Sequence, residues 1–139
     1  MLRYIEKCTG TNHNGPAWTA QVRVSKSGRT LYFNGMALKR AKGIPSGNHY
    51  DLETGDSYWV SGVKRTGSNR HWAGSGQIRV EASAVEALLE IMGKTELDRS
   101  RFRVVDDLAP TDPSQFVEVE NDPDAYERFR FPDLSEDEQ

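Results

Sequence analysis

The stretch YDLETGDSYWVS (residues 50–61) places two short strand-like segments on either side of a turn. Glu53-Thr54-Gly55-Asp56 carries a glycine where a turn needs a left-handed residue, and Tyr58-Trp59-Val60 is rich in residues that favour strands. The stretch therefore predicts an antiparallel hairpin. On strand alternation Trp59 faces away from Tyr58 and Val60, and a packed core position is favoured for it.

Upstream of this hairpin, apolar and polar residues alternate from Trp18 to Val24, which predicts a half-buried strand. Lys26-Ser27-Gly28 is a tight turn, so a second hairpin to residues 30–33 is expected. Asn34-Gly35 is either the next hairpin turn or a glycine bulge within one longer strand. Residues 2–6 and 77–81 complete the set of predicted strands, and Ile78 and Val80 of the last are expected to point inward.

One helix is predicted at residues 83–93. Ser83 and Glu86 have the spacing of a capping box, and Gly93 is placed to end the helix. Its apolar stripe is Val85, Leu88, Leu89 and Met92. The predicted fold is mainly β (or α+β), a small antiparallel, SH3-like, partly open barrel of about five or six strands capped by this C-terminal helix.

Charge divides the chain into two parts. Residues 1–80 hold twelve Lys/Arg against four Asp/Glu, a net +8, and residues 81–139 hold six against seventeen, a net −11. We therefore predict a basic β-rich domain at 1–93 and an acidic extension at 94–139. The extension is expected to be partly ordered or docked because it contains five aromatic residues, and its residues 102–105 and 115–119 are candidate short strands.

Residues 29–33 (RTLYF), 50–62 (YDLETGDSYWVSG) and 67–72 (GSNRHW) resemble a family of short bacterial proteins of unknown function. The resemblance covers about residues 3–81. Its members often carry the automatic label deoxyxylulose-phosphate synthase. That label does not fit this chain, because a thiamine-diphosphate enzyme needs Gly-Asp-Gly followed by an Asn in a far longer chain. The nearest match here is Gly55-Asp56-Ser57 in a hairpin turn.

Other function classes are disfavoured by what the chain contains. Cys8 is the one cysteine, so no internal disulfide or four-thiolate metal site is possible. The three histidines (His13, His49 and His71) have no zinc-site spacing and are expected to be solvated loop residues. No nucleophile, base and orienting residue can be assigned, so no catalytic residue, metal or cofactor is predicted. The sequence shows neither a secretory signal nor a membrane span, which predicts a cytoplasmic protein.

Two basic clusters are the candidate binding residues, one around residues 39–42 and one at 64–76, where cations lie beside an aromatic ring and glycines. The alternative for the second cluster is a solvated hairpin tip with its tryptophan in the core. The predicted ligand-binding residues are Lys39, Arg40, Lys42, Lys64, Arg65, Arg70, His71 and Trp72.

Three functions are compatible with these features. The favoured one is a binding module whose basic barrel contacts nucleic acid or another anionic partner, with the acidic tail as an intramolecular competitor. The alternative is a protein-interaction or regulatory adaptor that uses strand edges and the aromatic tail, with the charges serving solubility. A small enzyme is the least favoured.

Overall fold

A computed structural model describes residues 1–8, 15–66 and 76–130. None of the helices in these ranges is long and apolar enough to cross a membrane. The described strands are β1 (Leu2–Lys7), β2 (Ala17–Gln21), β3 (Arg23–Val24), β4 (Thr30–Phe33), β5 (Met36–Arg40), β6 (His49–Asp51), β7 (Ser57–Ser61), β8 (Ile78–Glu81) and β9 (Phe102–Val105). The helices are α1 (Val85–Met92), α2 (Val117–Glu120) and α3 (Ala125–Arg130), with 3-10 helices at Ala82–Ala84 and Pro113–Phe116.

All nine of these strands belong to one sheet, in the order β3-β4-β5-β6-β7-β1-β2-β8-β9. The sheet curls into an open half-barrel. Only Val22 separates β2 from β3, so one bent segment pairs with β1 and β8 in its first part and with β4 in its second. The prediction of a mainly β fold is confirmed, whereas the five- or six-stranded SH3-like layout is wrong. Pairing between distant strands leaves no mark on local sequence pattern.

Both predicted hairpins are present, together with a third at Asn34-Gly35, where the sequence left a hairpin and a bulge open. β3 pairs with β4, β4 with β5 and β6 with β7, all antiparallel. Phe33 lies opposite Met36, which makes Asn34-Gly35 the two-residue turn of a hairpin rather than a bulge. These elements are predictable because the turn and both strands lie within a few residues of one another.

The helix is a crossover and not a C-terminal cap. It connects β8 to β9, which run parallel, as a strand–helix–strand connection requires. Its apolar stripe packs as predicted, with Leu88 fully buried, and Gly93 ends it in the left-handed conformation. The capping box is wrong: the helix begins at Val85 without a side-chain cap, and the Ser83 backbone N–H donates to Asp107 Oδ1 at 2.8 Å.

Residues beyond the helix also depart from expectation. The predicted strand at 102–105 is β9, but the one at 115–119 is helical. Asp112 accepts a hydrogen bond from the Ser114 backbone N–H at 3.0 Å, and Pro113 follows it, which is the usual start of a helix. The division of the chain at residue 93 stays a prediction, and residues 94–130 contribute β9 and two of the three α-helices.

Three apolar clusters stabilise the sheet. Under α1, the helix cluster joins Tyr4, Ile78, Val80, Leu88 and Phe102. Within the curl, the inner cluster is formed by Ile5, Ala20, Val22, Leu31, Phe33, Leu38, Tyr58 and Val60. On the other face of β4–β6, the outer cluster contains Tyr32, Ala37, Ile44, Tyr50, Leu52 and Phe116. Both faces of the sheet are therefore packed along part of its width.

Two aromatic or apolar residues predicted to be inside are exposed. Trp59 is 43% exposed and Val24 is 36% exposed. Tyr58 and Val60 point into the inner cluster, so Trp59 lies on the opposite face of β7. Alternation fixed which residues share a face, but whether a second layer covers that face depends on the tertiary structure.

Candidate functional site

A cationic cavity lies where the β4–β5 hairpin meets the loop of residues 41–48. The Arg40 backbone N–H donates to the Arg29 carbonyl at 2.8 Å, which brings the residue before β4 beside the end of β5. The cavity has a volume of about 560 Å³. Its charged lining residues are Arg29, Lys39, Arg40 and Lys42, and its other lining residues are neutral.

A second cavity, of about 440 Å³, adjoins the first and shares Arg40 and Asn48 with it. It adds Arg3 from β1 and His49 from β6. Leu31 and Val60 of the inner cluster line it as well. We call the two cavities together the basic groove, which is defined by Arg3, Arg29, Lys39, Arg40, Lys42, Asn48 and His49.

Among the described residues, no carboxylate pairs with a cation of the basic groove. In the same ranges, neither cavity is lined by an Asp or Glu. Within the described ranges, ion pairs join Lys7 to Asp56 and Arg128 to Asp122, and none reaches the groove. The cations of the basic groove repel one another, and an anion that enters the groove is attracted by all of them.

The loop that forms one wall of the basic groove is pinned to β7. The Asn48 backbone N–H donates to the Tyr58 carbonyl at 2.9 Å. Gly47 lies so close to this strand that an added Cβ would be 2.5 Å from the Tyr58 oxygen. A glycine is therefore required at position 47, and the groove is built on a fixed loop.

His49 is not the solvated loop residue that the sequence predicted. It belongs to β6, is 8% exposed and lies opposite Arg40. Burial, together with the positive charge of Arg40, lowers the pKa of His49 to about 4. The imidazole is consequently neutral at physiological pH.

Cys8 has the environment of an inert thiol. Its Sγ donates to the Ser46 carbonyl at 3.2 Å. Burial and the nearby negative charge of Glu6 raise the pKa of Cys8 to about 11. Since the thiolate is the reactive form, this position is unsuited to nucleophilic chemistry at neutral pH.

Among the described residues, no group of three or more His, Cys, Asp or Glu side chains is arranged to hold a metal ion.

The C-terminal segment lies along one side of the basic groove. We call residues 112–130 the strap. Its Phe116 is 2% exposed in the outer cluster, and the Tyr126 ring lies 4.7 Å from the Tyr50 ring. Lys39 Nζ donates to the Glu120 carbonyl at 2.6 Å, and Tyr32 Oη donates to Glu120 Oε2 at 2.9 Å. Lys39 thus contacts the acidic strap while also lining the groove.

Three of the predicted binding residues come together here. Lys39, Arg40 and Lys42 line the basic groove, whereas Lys64 and Arg65 are exposed after β7 and do not line it. Arg70, His71 and Trp72 lie outside the described residues.

Sequence reasoning missed Arg3, Arg29, Asn48 and His49. For Arg29 a signal existed, because the register of a hairpin across Asn34-Gly35 places residue 30 opposite residue 39. Arg3 carries no such local signal, because β1 reaches this region by pairing with the distant β7. His49 directly follows a stretch rich in turn formers, which predicts a loop at this position.

No protein-family model matches the chain, and no curated protein or solved structure is significantly similar to it. The resemblance to short bacterial proteins stays a prediction.

Proposed function

We propose that the protein is a cytoplasmic nucleic-acid-binding module that contacts the phosphate backbone through the basic groove. The observation that supports the proposal is a groove that the described residues line with five cationic side chains and with no carboxylate. The phosphodiester backbone of a nucleic acid presents closely spaced negative charges to such a surface, and binding releases the counterions condensed on the nucleic acid.

The lining of the groove favours contact with the backbone over the reading of bases. In the described part of the chain, neither cavity is lined by Phe, Tyr or Trp. Proteins that read single-stranded bases stack them on aromatic rings. We therefore expect affinity with little dependence on base sequence.

The acidic extension is proposed to compete with the ligand for the groove. The main-chain carbonyl of Glu120 in the strap already accepts a hydrogen bond from Lys39, and the strap is followed by four acids, Asp133, Glu136, Asp137 and Glu138. A tethered competitor has a high effective concentration, so weak contacts suffice to lower the affinity for the ligand. Displacement of the acidic extension from the groove would then depend on the salt concentration and on the affinity of the incoming polyanion.

The test is a binding measurement on the full chain, by fluorescence anisotropy with labelled 12-nucleotide strands at low salt. The variant R40E/K42E alters the groove, and K94E/R99E changes the net charge equally at exposed positions beyond α1. We expect the groove variant to bind at least roughly tenfold more weakly, because it loses cations that neutralise phosphates. The affinity of the control should change by less than about threefold.

Each outcome decides a separate point. Equal weakening in both variants would mean that overall charge, not the groove, attracts the ligand. If the full chain binds a polyglutamate peptide but no nucleic acid, the partner is an acidic protein. Neutralising the four acids beyond residue 131 should strengthen binding and steepen its salt dependence, and unchanged affinity would remove the competitor from the proposal.

The adaptor alternative has one supporting observation. β9 is the last strand of the sheet order, so its outer edge has no strand partner among the described strands. The aromatic tail supports the alternative less, because Tyr126 and Phe129 pack against Tyr50 of the same chain. A stoichiometric protein partner that survives both nuclease treatment and the R40E/K42E change would favour the adaptor.

A further inference from the structure

Asn48 fixes the orientation of the neighbouring histidine. Asn48 Nδ2 donates to the Val60 carbonyl at 2.8 Å, and Asn48 Oδ1 accepts from the Val60 backbone N–H at 2.8 Å. This pair of bonds identifies which end of the amide is oxygen, since the backbone N–H can only donate. The amide is therefore held in one orientation beside β7.

The orientation of Asn48 determines the tautomer of His49. His49 Nδ1 lies 2.8 Å from Asn48 Oδ1, which is an acceptor. Nδ1 must then carry the proton and donate it, which leaves Nε2 with a lone pair. Among the described residues no donor is bonded to Nε2, and the low pKa of His49 keeps that nitrogen unprotonated at neutral pH.

His49, which carries this acceptor, lines a cavity that is also lined by cations. His49 lines the same cavity as Arg3 and Arg40, and Arg40 is its direct partner across β5 and β6. A ligand that fits this part of the groove has to present an anion and, close to it, a hydrogen-bond donor. The ribose 2′-hydroxyl next to a phosphodiester is such a pair, and DNA lacks it.

We infer that the basic groove prefers RNA to DNA, with His49 Nε2 accepting a hydrogen bond from a ribose 2′-hydroxyl whose adjacent phosphate is held by Arg3 and Arg40. This inference rests on the proposed function. The donors on base edges are a poorer match, because the described lining contains no Phe, Tyr or Trp ring on which a base would stack.

The first test varies the ligand and leaves the protein unchanged. Three 12-nucleotide strands of one sequence are compared, made of RNA, of DNA and of 2′-fluoro RNA, which keeps RNA-like sugar geometry without a donor. We expect RNA to bind roughly three- to tenfold more tightly than either of the others, the range for one net hydrogen bond. Equal affinity for RNA and 2′-fluoro RNA would overturn the inference.

The second test varies the protein. His49→Phe keeps a buried ring but removes the acceptor, so RNA affinity should fall to the level of DNA while DNA affinity stays the same. An equal decrease for RNA and DNA would contradict the assigned hydrogen bond. Should this variant fail to fold, as judged by circular dichroism, the comparison of the three strands on the natural chain still decides the question.

The two proposals fail in different ways. If no strand binds the full chain, the proposed function is wrong. If all three bind equally and R40E/K42E weakens all three, the groove binds nucleic acid and only the preference for RNA is wrong.

Discussion

The basic groove and the outer cluster are built on adjoining parts of the same strands, yet they are stabilised in opposite ways. In the outer cluster, Phe116 and Tyr50 are almost fully buried, and the strap supplies part of the packing. In the groove, Arg29, Arg40 and Lys42 are exposed cations that pair with no carboxylate in the part of the chain that the structure describes. The outer cluster therefore contributes to stability, whereas the groove costs some stability and is left ready for an anion.

This contrast predicts that the largest loss of stability comes from the strap. Phe116→Ala removes a buried ring and should lower the free energy of unfolding by about 3–4 kcal/mol. The neighbouring Val117→Ala is the control, because Val117 is 52% exposed and should cost well under about 1 kcal/mol. Urea unfolding of both variants measures the difference. A small loss for Phe116→Ala would mean that the strap is not held by the outer cluster.

A second pair of variants tests the packing of the strap on the β6–β7 turn. Gly55 and Gly28 have nearly the same φ, +78° and +76°, so alanine brings similar backbone strain to both. An added Cβ would overlap the Phe129 ring at Gly55 but meets nothing within 4 Å at Gly28. We expect Gly55→Ala to cost about 2 kcal/mol more than Gly28→Ala in chemical unfolding. Equal costs would contradict the docking of α3.

A third prediction concerns acid. The pKa of His49 is about 4 in the folded chain and 6.5 without perturbation, so the unfolded chain binds more protons between these values. The stabilisation from neutral His49 is fully present above about pH 6.5 and is lost as the pH falls towards 4.

After allowance for solvent screening we expect a loss of about 1–2 kcal/mol over this range. His49→Phe should lack this part of the pH dependence, as measured by urea midpoints at several pH values. Arg3 and Arg40 line the same cavity and stay charged throughout, so they do not add to the slope. If the urea midpoints of the natural chain and of His49→Phe changed equally with pH, His49 would not be held neutral in the folded chain.

The smallest effect on stability is expected in the groove itself. Arg40→Ala removes an exposed charge from a set of like charges and should leave the free energy of unfolding within about 0.5 kcal/mol. The same change should weaken binding of a single strand and lower the salt slope by about 0.7 for each phosphate that the groove no longer neutralises. If Arg40→Ala lowers the free energy of unfolding but leaves binding unchanged, the groove serves stability and not binding, which would contradict the prediction.

Local signals accounted for much of the fold. The hairpins at 24–30, 33–36 and 51–57 combine a turn with flanking strands, and the α1 stripe recurs at helical spacing. The features that the sequence predicted wrongly depend on contacts between residues far apart in the chain. Ser83 is engaged by Asp107 of another segment, and β8 and β9 pair in parallel across a helix.

The residues of the candidate site also fall into those that the sequence predicted and those that it did not. Lys39, Arg40 and Lys42 could be found because they are neighbours in sequence. Arg3 and His49 could not, since the pairing of β1 with β7 and of β5 with β6 brings them to one cavity.

By itself the sequence determined a mainly β chain, its short hairpins, one amphipathic helix and the separation of basic from acidic charge, because each is set by residues close together in the chain. The tertiary structure decided that cations from β1, from the residue before β4, from β5 and from the loop after β5 line one groove, that His49 is buried and neutral among them, and that the strap contacts Lys39 through the Glu120 carbonyl. The physical reason is that burial and electrostatic fields depend on distances in space, which strand pairing and the curl of the sheet establish.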